Sequence, residues 1–394
     1  MTAINPLICG VGAVSAAGAD VDGTLAAFAA GARNTSATLP IECSISCPTF
    51  QARADLPVLP GRLNNSRSLR LAMKAVNETM AAAGIERFPS ATRVGVCIGT
   101  TVASQLNNIP FYDAYRRQGN PPLDAVYDFL SANLAHAVGD LLHVVGPRMT
   151  IVNACSSGTD AIGVAASWIR AGVCDVALAG GADEMNRVAM AGFWSLGVMS
   201  AQACAPFDRD RAGLNLGEGA GIVLLESADH AQGRGKKSGF ELAGFGAACD
   251  AHHLTAPHPQ GRGLAAAIRT ALGQAQITPS QIAFINAHGT ATIDNDRAEG
   301  KVIAEIFGAG QRFLSTKGYT GHALGAAGGL EAVFTVLALR EGWIPASAGF
   351  EKAAEDIPAT PVHERTKIAG DYAMSTSLAF GGNNSALVIR RLAR

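Results

Sequence analysis

Short runs of β-branched and apolar residues alternate with alanine-rich stretches along most of this 394-residue chain. The alternation predicts an α/β protein in which helices cover a mostly buried sheet. The predicted strands are Leu7–Val11, Arg93–Ile98, Met149–Val152, Val176–Gly180, Gly221–Leu225, Ile282–Asn286 and Ala386–Ile389. The predicted helices are Ser68–Ala83, Thr159–Ala171, Leu264–Ala275, Arg297–Phe307 and Ala326–Arg340.

The chain is longer than a typical domain of roughly 100–200 residues, so we expect two domains or two closely packed halves. The composition of the sequence changes at residues 229–245, which read DHAQGRGKKSGFELAGF. We therefore expect a first half at residues 1–240 and a second half at residues 241–394. No convincing internal repeat is visible in the sequence.

Bulk properties exclude several classes of function. The formal net charge of −1 gives no general attraction to nucleic acid or to an anionic membrane. The sequence has neither a signal-peptide pattern at its N-terminus nor an uncharged apolar run of about 20 residues. Eight scattered cysteines then indicate reduced thiols, and no two cysteine pairs have the spacing of a zinc site. We expect a cytoplasmic protein that binds no metal, nucleic acid or membrane.

The first chemical signal is the segment TIVNACSSGTDAIGVAASWIRAG, in which a strand passes through small residues into a helix. Cys155 lies at the turn, near backbone N–H groups and the positive end of the helix, which favour a thiolate. A cysteine before a helix is by itself more often structural. The small neighbours Ala154, Ser156 and Ser157 leave room for a substrate and favour a nucleophile.

Two later segments carry histidines in loops. FINAHGTATIDNDRAEG places His288 in a turn after a strand, and STKGYTGHALGAAGGLEAVFTVLAL places Lys317 and His322 before an apolar helix. Glu331 lies inside that helix, where an unpaired carboxylate would be costly, so we expect a buried ion pair with Lys317. In STSLAFGGNNSALVIRRL, Phe380 precedes two glycines, as in either a mobile loop or an ordinary hairpin turn.

Taken in order, these segments resemble the β-ketoacyl-acyl carrier protein synthases of the thiolase superfamily, especially the dissociated enzymes that elongate acyl chains. The resemblance extends through CGVGAVSAAG, NACSSG, GGADE, PFDRDRAGLNLGEGAGIVLLE, NAHGTATIDNDRAE, STKGYTGHALGAAGGLEA and AFGGNN. It implies a thiolase-like five-layered αβαβα fold of two similar halves, and a dimer whose interface lies near the active sites. It also implies an acyltransferase that performs a decarboxylative Claisen condensation with malonyl-acyl carrier protein.

The resemblance implies roles for individual residues. Cys155 would accept the acyl chain, and the backbone N–H groups of Cys155 and Phe380 would bind the oxyanion. His288 and His322 would promote malonyl decarboxylation and stabilise the enolate. Supporting roles in organising the site and binding the phosphopantetheine arm would fall to Lys317, Glu331, Thr290 and Thr292. The enzyme would need no cofactor of its own, because the acyl carrier protein supplies the phosphopantetheine.

We expect the acidic carrier protein to dock on RLNNSRSLRLAMK, where Arg67, Arg70 and Lys74 share one helical face. A solvated basic face without a partner is the alternative. We expect the acyl pocket to be walled by segments Val102–Tyr115 and Pro122–Leu134, which leaves chain length open.

Other assignments remain open at this point. The segment PASAGFEKAAEDIPATPVHERTKI, Leu378 and the Asn383-Asn384 pair depart from the usual elongation pattern, so a type II polyketide or aryl-polyene pathway competes with fatty acid synthesis. A thiolase would need a second cysteine near the C-terminus, and none follows Cys249. A noncatalytic chain-length partner would lack the nucleophilic cysteine. The sequence is consistent with an active subunit of either a homodimer or a heterodimer.

Overall fold

The computed structural model describes residues 5–37, 45–102, 109–124, 126–127 and 133–393. The strands, in chain order, are β1 Leu7–Ser15, β2 Val94–Gly99, β3 Arg148–Ile151, β4 Val176–Asp183, β5 Gly219–Glu226, β6 Phe240–Cys249, β7 Ile282–Asn286, β8 Phe313–Leu314, β9 Trp343–Ile344, β10 Thr366–Lys367, β11 Tyr372–Ala379 and β12 Asn383–Arg391. The helices are α1 Val21–Ala30, α2 Arg67–Ala83, α3 Ile109–Gln118, α4 Leu134–Leu141, α5 Ser157–Arg170, α6 Arg187–Ser195, α7 Ala228–Gly233, α8 Arg262–Ala275, α9 Ile293–Phe307, α10 Lys317–Thr320 and α11 Ala327–Glu341. Short 3₁₀ turns span Gly61–Asn65, Pro279–Gln281 and Leu324–Ala326.

Among the described residues, ten strands form one sheet in the order β3-β2-β4-β5-β1-β6-β12-β11-β7-β8. The five strands of each side follow the same order and the same directions when they are counted outward from the centre. In each set the central strand, β1 or β6, pairs with an antiparallel strand, β5 or β12, and a group of three mutually parallel strands lies beyond it. The sets meet where Leu7 pairs with Glu241. The strand topology is thus repeated, although no repeat is visible in the sequence. The predicted boundary between the halves at residue 240 stays a prediction.

Three hydrophobic clusters show how the helices cover the strands. One cluster joins α5 and α11, which lie between the two sets of strands and pack against each other. A second packs α2 and α4 against the outer face of the first set, and a third packs α8 and α9 against the outer face of the second. The layers therefore alternate as helix, sheet, helix, sheet and helix, which confirms the predicted αβαβα fold.

The two central helices approach very closely near their N-terminal ends. A Cβ atom at Gly158 would lie 2.7 Å from the backbone nitrogen of Gly329 and 2.8 Å from the carbonyl oxygen of Gly325. Such distances exclude any side chain, so only glycine allows this crossing. As a result, the turn before α5 and the loop before α11 lie side by side.

All of the predicted strands and helices occur, with ends that shift by a few residues. Helix α9 begins at Ile293 rather than Arg297, because the acidic residues Asp294 and Asp296 fit the positive first turn. The two-residue strands β8, β9 and β10 were not predicted. The longer strands β6 and β11 were not predicted either, because small residues replace the usual β-branched ones. In β6, Gly244 and Gly246 allow α8 to lie directly against the strand backbone.

No helix in the described part of the chain combines the length and apolar character that crossing a bilayer requires.

Candidate active site

A cavity of about 260 Å³ lies where the loops after β3, β7 and β11 meet the loop before α11. Six of the residues predicted from the sequence line it, namely Cys155, His288, Thr290, Thr292, His322 and Phe380. Of the two segments predicted to wall the acyl pocket, residues 103–108, 125 and 128–132 lie outside the described residues.

Cys155 lies on a strained turn between β3 and α5. The preceding residue, Ala154, has φ 48°, a left-handed conformation that costs a non-glycine residue energy and often marks a functional site. Asp160 in the first turn of α5 accepts hydrogen bonds from Asn153 Nδ2 at 2.6 Å and from Ser156 Oγ at 2.9 Å. These bonds hold the residues on both sides of the buried thiol.

His322 contacts the thiol directly. Its Nε2 lies 3.1 Å from Cys155 Sγ, and its Nδ1 accepts a hydrogen bond of 3.1 Å from the backbone N–H of Leu324. Because Nδ1 is an acceptor, the proton of the neutral ring is on Nε2 and faces the sulfur. Burial and the charge of Lys317 hold the pKa of His322 well below its usual range, so the ring is neutral.

His288 has the same protonation pattern, set by a different donor. Lys317 Nζ lies 3.0 Å from His288 Nδ1, and it also donates to the carbonyl oxygen of His288 at 2.6 Å. An ammonium group can only donate, so the His288 proton is also on Nε2. Burial, followed by the charge of Lys317, lowers the pKa of His288 well below its usual range. The two rings lie 5.3 Å apart and nearly perpendicular.

The predicted buried pair is present, since Lys317 also donates to Glu331 on α11. Both side chains are almost fully buried. Burial raises the pKa of Glu331, and the Lys317 charge opposes that rise. The carboxylate thus compensates a buried ammonium group, whose position behind His288 fixes the ring.

The thiol of Cys155 experiences opposing effects. Burial raises its pKa to about 11, while the charge of Lys317 and the backbone N–H of Phe380 act in the other direction. At neutral pH the resting group is therefore mostly a thiol. The Phe380 N–H contacts this sulfur, so it lies close to the oxyanion that would form when the sulfur attacks a thioester carbonyl.

One ligand atom from each of Cys155, His288 and His322 lies within 4.8 Å of the other two, a donor set that zinc accepts elsewhere. A metal-bound histidine uses its lone pair on one nitrogen and donates from the other. Here the Nδ1 atoms of both rings face donors, which leaves a proton rather than a lone pair on each Nε2. This arrangement suits hydrogen bonding to an anion better than metal binding.

The two threonines form one wall of the cavity. Thr290 Oγ1 and Thr292 Oγ1 lie 2.8 Å apart, and Ala291 between them has φ 66°. Asp296 Oδ1 accepts the backbone N–H groups of Thr290 at 3.0 Å and Ala291 at 3.2 Å, which holds this strained turn.

Two further residues shape the site, although the sequence reasoning did not select them. Glu299 accepts the backbone N–H groups of His288 and Gly289, each at 2.8 Å. Phe193 on α6 stacks on Phe380 with the ring centroids 5.4 Å apart. Glu299 could have been found as a carboxylate on the apolar side of a helix, whereas nothing in the sequence distinguishes Phe193.

The basic residues of α2 lie away from the cavity wall and use many of their donors internally. Arg67 forms two bonds with the buried Glu218, at 2.5 and 2.9 Å, and Arg70 donates to the carbonyl oxygens of residues 56 and 57. Lys74 is half-buried on the same helix. The docking role stays a prediction, and reversing Arg67 to Glu would break an internal ion pair and so give no clean test.

Comparison with known proteins agrees with this geometry. Residues 60–231 match the family described as Beta-ketoacyl synthase, N-terminal domain, and residues 240–351 match Beta-ketoacyl synthase, C-terminal domain. The chain belongs to the β-ketoacyl synthase family. It is 36% identical over 320 residues to 3-oxoacyl-[acyl-carrier-protein] synthase 2 of Vibrio cholerae. The aligned region covers 77% of each protein.

Solved structures give the same result. The ishigamide ketosynthase/chain length factor matches with a TM-score of 0.91 and 28% identity, over 99% of this chain and 100% of that one. The ketosynthase ApeO in complex with its chain length factor ApeC, from Xenorhabdus doucetiae, matches with a TM-score of 0.85 and 32% identity over 98% of each chain. These similarities confirm the predicted fold and reaction class: a β-ketoacyl synthase that condenses acyl units as an acyltransferase.

The contact between Lys317 and His288 predicts a change in pH dependence. Replacing Lys317 with Met removes both the donor at Nδ1 and a nearby positive charge, so the pKa of His288 should rise, while burial continues to lower it. Malonyl decarboxylation should then fall by about 10–100-fold at neutral pH. The acid limb of its pH profile should move to higher pH, because His288 becomes protonated earlier as the pH decreases.

The exposed Lys352 provides the control, and Lys352→Met should leave both the rate and the profile unchanged. An acid limb that stays in place in Lys317→Met would contradict the assignment.

Proposed function

We propose that Cys155 takes an acyl chain from an acyl carrier protein and condenses it with malonyl-acyl carrier protein, releasing carbon dioxide and a β-ketoacyl-acyl carrier protein. One observation carries this proposal. Two neutral histidines line the same cavity as the buried thiol, and the acceptor contacts at their Nδ1 atoms leave an N–H donor on each Nε2.

In the first half-reaction, the sulfur of Cys155 attacks the carbonyl carbon of the carrier-bound thioester. The backbone N–H groups of Cys155 and Phe380 stabilise the oxyanion. The intermediate collapses to an acyl-cysteine, and the thiol of the phosphopantetheine leaves with the proton that Cys155 loses. The Nε2–H of His322 supports the sulfur while it carries negative charge.

In the second half-reaction, the thioester oxygen of the malonyl unit accepts hydrogen bonds from the Nε2–H groups of His288 and His322. The bond to the carboxylate breaks, carbon dioxide leaves, and the electron pair forms an enolate that these donors stabilise. The enolate carbon then attacks the acyl-cysteine carbonyl, forming the new carbon–carbon bond and releasing the sulfur, which takes up a proton. No strong base is needed, because decarboxylation generates the carbanion.

The phosphopantetheine arm enters as part of the substrate. Thr290 and Thr292 offer two hydroxyl groups on the cavity wall, suited to the amide groups of such an arm. We assign the arm to the carrier protein and no cofactor to the chain itself. The name of the Vibrio cholerae relative refers to acyl carrier protein, which supports the same partner.

We also propose a dimer through the outer edge of β3. In the described part of the chain β3 pairs only with β2, and Met149 and Val152 beside this edge are 43% and 64% exposed. An open edge with apolar side chains favours pairing with another chain. Val152 is three residues before Cys155, so a second ketosynthase-like subunit would cover the back of the site. The two solved relatives named above include a chain length factor, which favours a heterodimer.

The proposal predicts that the half-reactions separate by mutation. Cys155→Ala should abolish both acyl-enzyme formation and condensation, because it removes the only covalent attachment point. His288→Ala should still accept an acyl group and then stall, with condensation slower by on the order of 10²–10³. Intact-protein mass spectrometry would follow the acyl-enzyme, and carbon dioxide release would follow the second half-reaction.

The exposed Cys249 serves as the control, since Cys249→Ala should retain both half-reactions. A stable acyl adduct on another cysteine, or full condensation by His288→Ala, would overturn the mechanism.

The contact between Phe380 and Phe193 leads to a separate prediction about how substrates enter the active-site cavity. Phe380 precedes Gly381 and Gly382, which both have positive φ, so we propose that the ring swings aside once an acyl chain is bound. Phe380→Ala should raise decarboxylation of malonyl-acyl carrier protein in the absence of an acyl primer, as measured by carbon dioxide release. Phe307→Ala at the end of α9 should not. An uncoupled rate equal to that of the parent would mean a static turn.

A further inference from the structure

A fully buried carboxylate lies beside the catalytic groups and has no part in the steps above. Asp183 is the last residue of β4. It accepts hydrogen bonds from Thr100 Oγ1 at 2.6 Å and from the backbone N–H groups of Thr101 at 2.7 Å, Val102 at 3.2 Å and Gly325 at 2.8 Å. These donors come from two segments that are more than 200 residues apart in the chain.

One of these segments controls the protonation of His322. Gly325, which donates to Asp183, directly follows Leu324, whose N–H donates to His322 Nδ1. Leu324 has φ 53°, a conformation that a leucine maintains only when its surroundings hold it there. The bond from Gly325 to the buried carboxylate is one of the contacts that hold it.

The other segment reaches the nucleophile. Thr101 donates through its backbone to Asp183 and through its hydroxyl to the carbonyl oxygen of Ala154 at 3.2 Å. Ala154 is the strained residue immediately before Cys155. One carboxylate is therefore linked to both partners of the contact between Cys155 and His322.

The charge of Asp183 does not help the nucleophile. Burial raises the pKa of Asp183 to about 6, which leaves it ionised at neutral pH. That charge raises the pKa of the Cys155 thiol and so works against the thiolate. What this residue contributes is its set of four hydrogen bonds.

We propose that Asp183 is a positioning residue that holds the His322 loop and the Cys155 turn together, so that the Nε2–H of His322 faces the sulfur. It touches no substrate. It acts through Gly325 and Leu324 on one side and through Thr101 and Ala154 on the other.

The proposal predicts two opposite effects of Asp183→Asn. The amide keeps the size of the side chain but removes the charge and one acceptor oxygen. The kcat for condensation should fall by about 10²-fold while KM for malonyl-acyl carrier protein changes little, because misplacement of a catalytic group by about 1 Å has this effect. Alkylation of Cys155 by iodoacetamide should shift to lower pH, because a negative charge near the thiol is gone.

The shift in alkylation is interpretable because the other charged and titratable groups around Cys155 are unchanged, namely Lys317, Glu331, His288 and His322. A variant that has merely lost its structure would show slower condensation without this ordered shift. Asp175→Asn is the matched control: Asp175 precedes the same strand at its other end, pairs with Arg93 and should affect neither measurement.

If Asp183→Asn does not fold, Thr100→Val provides a second test, because it removes one donor to the carboxylate and leaves the charge in place. It should lower kcat by a smaller factor and leave the pH midpoint of alkylation unchanged. A positioning role is supported by reduced kcat at constant KM in either variant. The proposal is wrong if kcat is unchanged in both variants. It is also wrong if Asp183→Asn lowers kcat and abolishes the alkylation of Cys155.

Discussion

Lys317 Nζ lies 3.0 Å from Nδ1 of His288, and the chemistry of the site depends on this contact and on its counterpart at His322, where the N–H of Leu324 lies 3.1 Å from Nδ1. Each contact forces the ring proton onto Nε2. Burial and the Lys317 charge then prevent a second proton from binding. Two neutral donors side by side can stabilise an enolate, whereas a charged imidazolium could give its proton to the carbanion and end the reaction early.

The fold creates this arrangement by repeating one topology. Each half contributes a central helix, α5 or α11, and glycines at 158 and 329 let the helices cross without side chains between them. Cys155 precedes one helix and His322 precedes the other, so the crossing places the sulfur and the imidazole in contact. Neither half alone contains a complete site.

The reactive residues could be predicted because the segments that carry them, taken together, resemble those of a known family. A cysteine before a helix or a single loop histidine is by itself more often structural. Cys155 lies in the turn between a strand and a helix, and the Lys317–Glu331 pair follows from the cost of an unpaired carboxylate in an apolar helix. The groups that orient them could not be predicted in this way. Leu324 acts through its backbone, and the positive φ values of Ala154 and Leu324 have no signature in residue type.

Contacts between residues that are far apart in the chain could not be predicted from the sequence either. The basic face of α2 looked free because Glu218, which binds Arg67, is 151 residues away. Asp183 likewise collects donors from both halves, and its GGADE segment was recognised without a role. The sequence therefore identified the groups that react, while three-dimensional contacts identified the groups that hold them.

Nitrogen-15 NMR of histidine-labelled enzyme reports the protonation state of His288 and His322. The chain has nine histidines, so His288→Gln and His322→Gln spectra would assign the two signals. We predict that both rings stay neutral with the proton on Nε2, without titrating between about pH 6 and pH 8. A ring that titrates near its usual pKa of about 6.5, or that carries its proton on Nδ1, would contradict it.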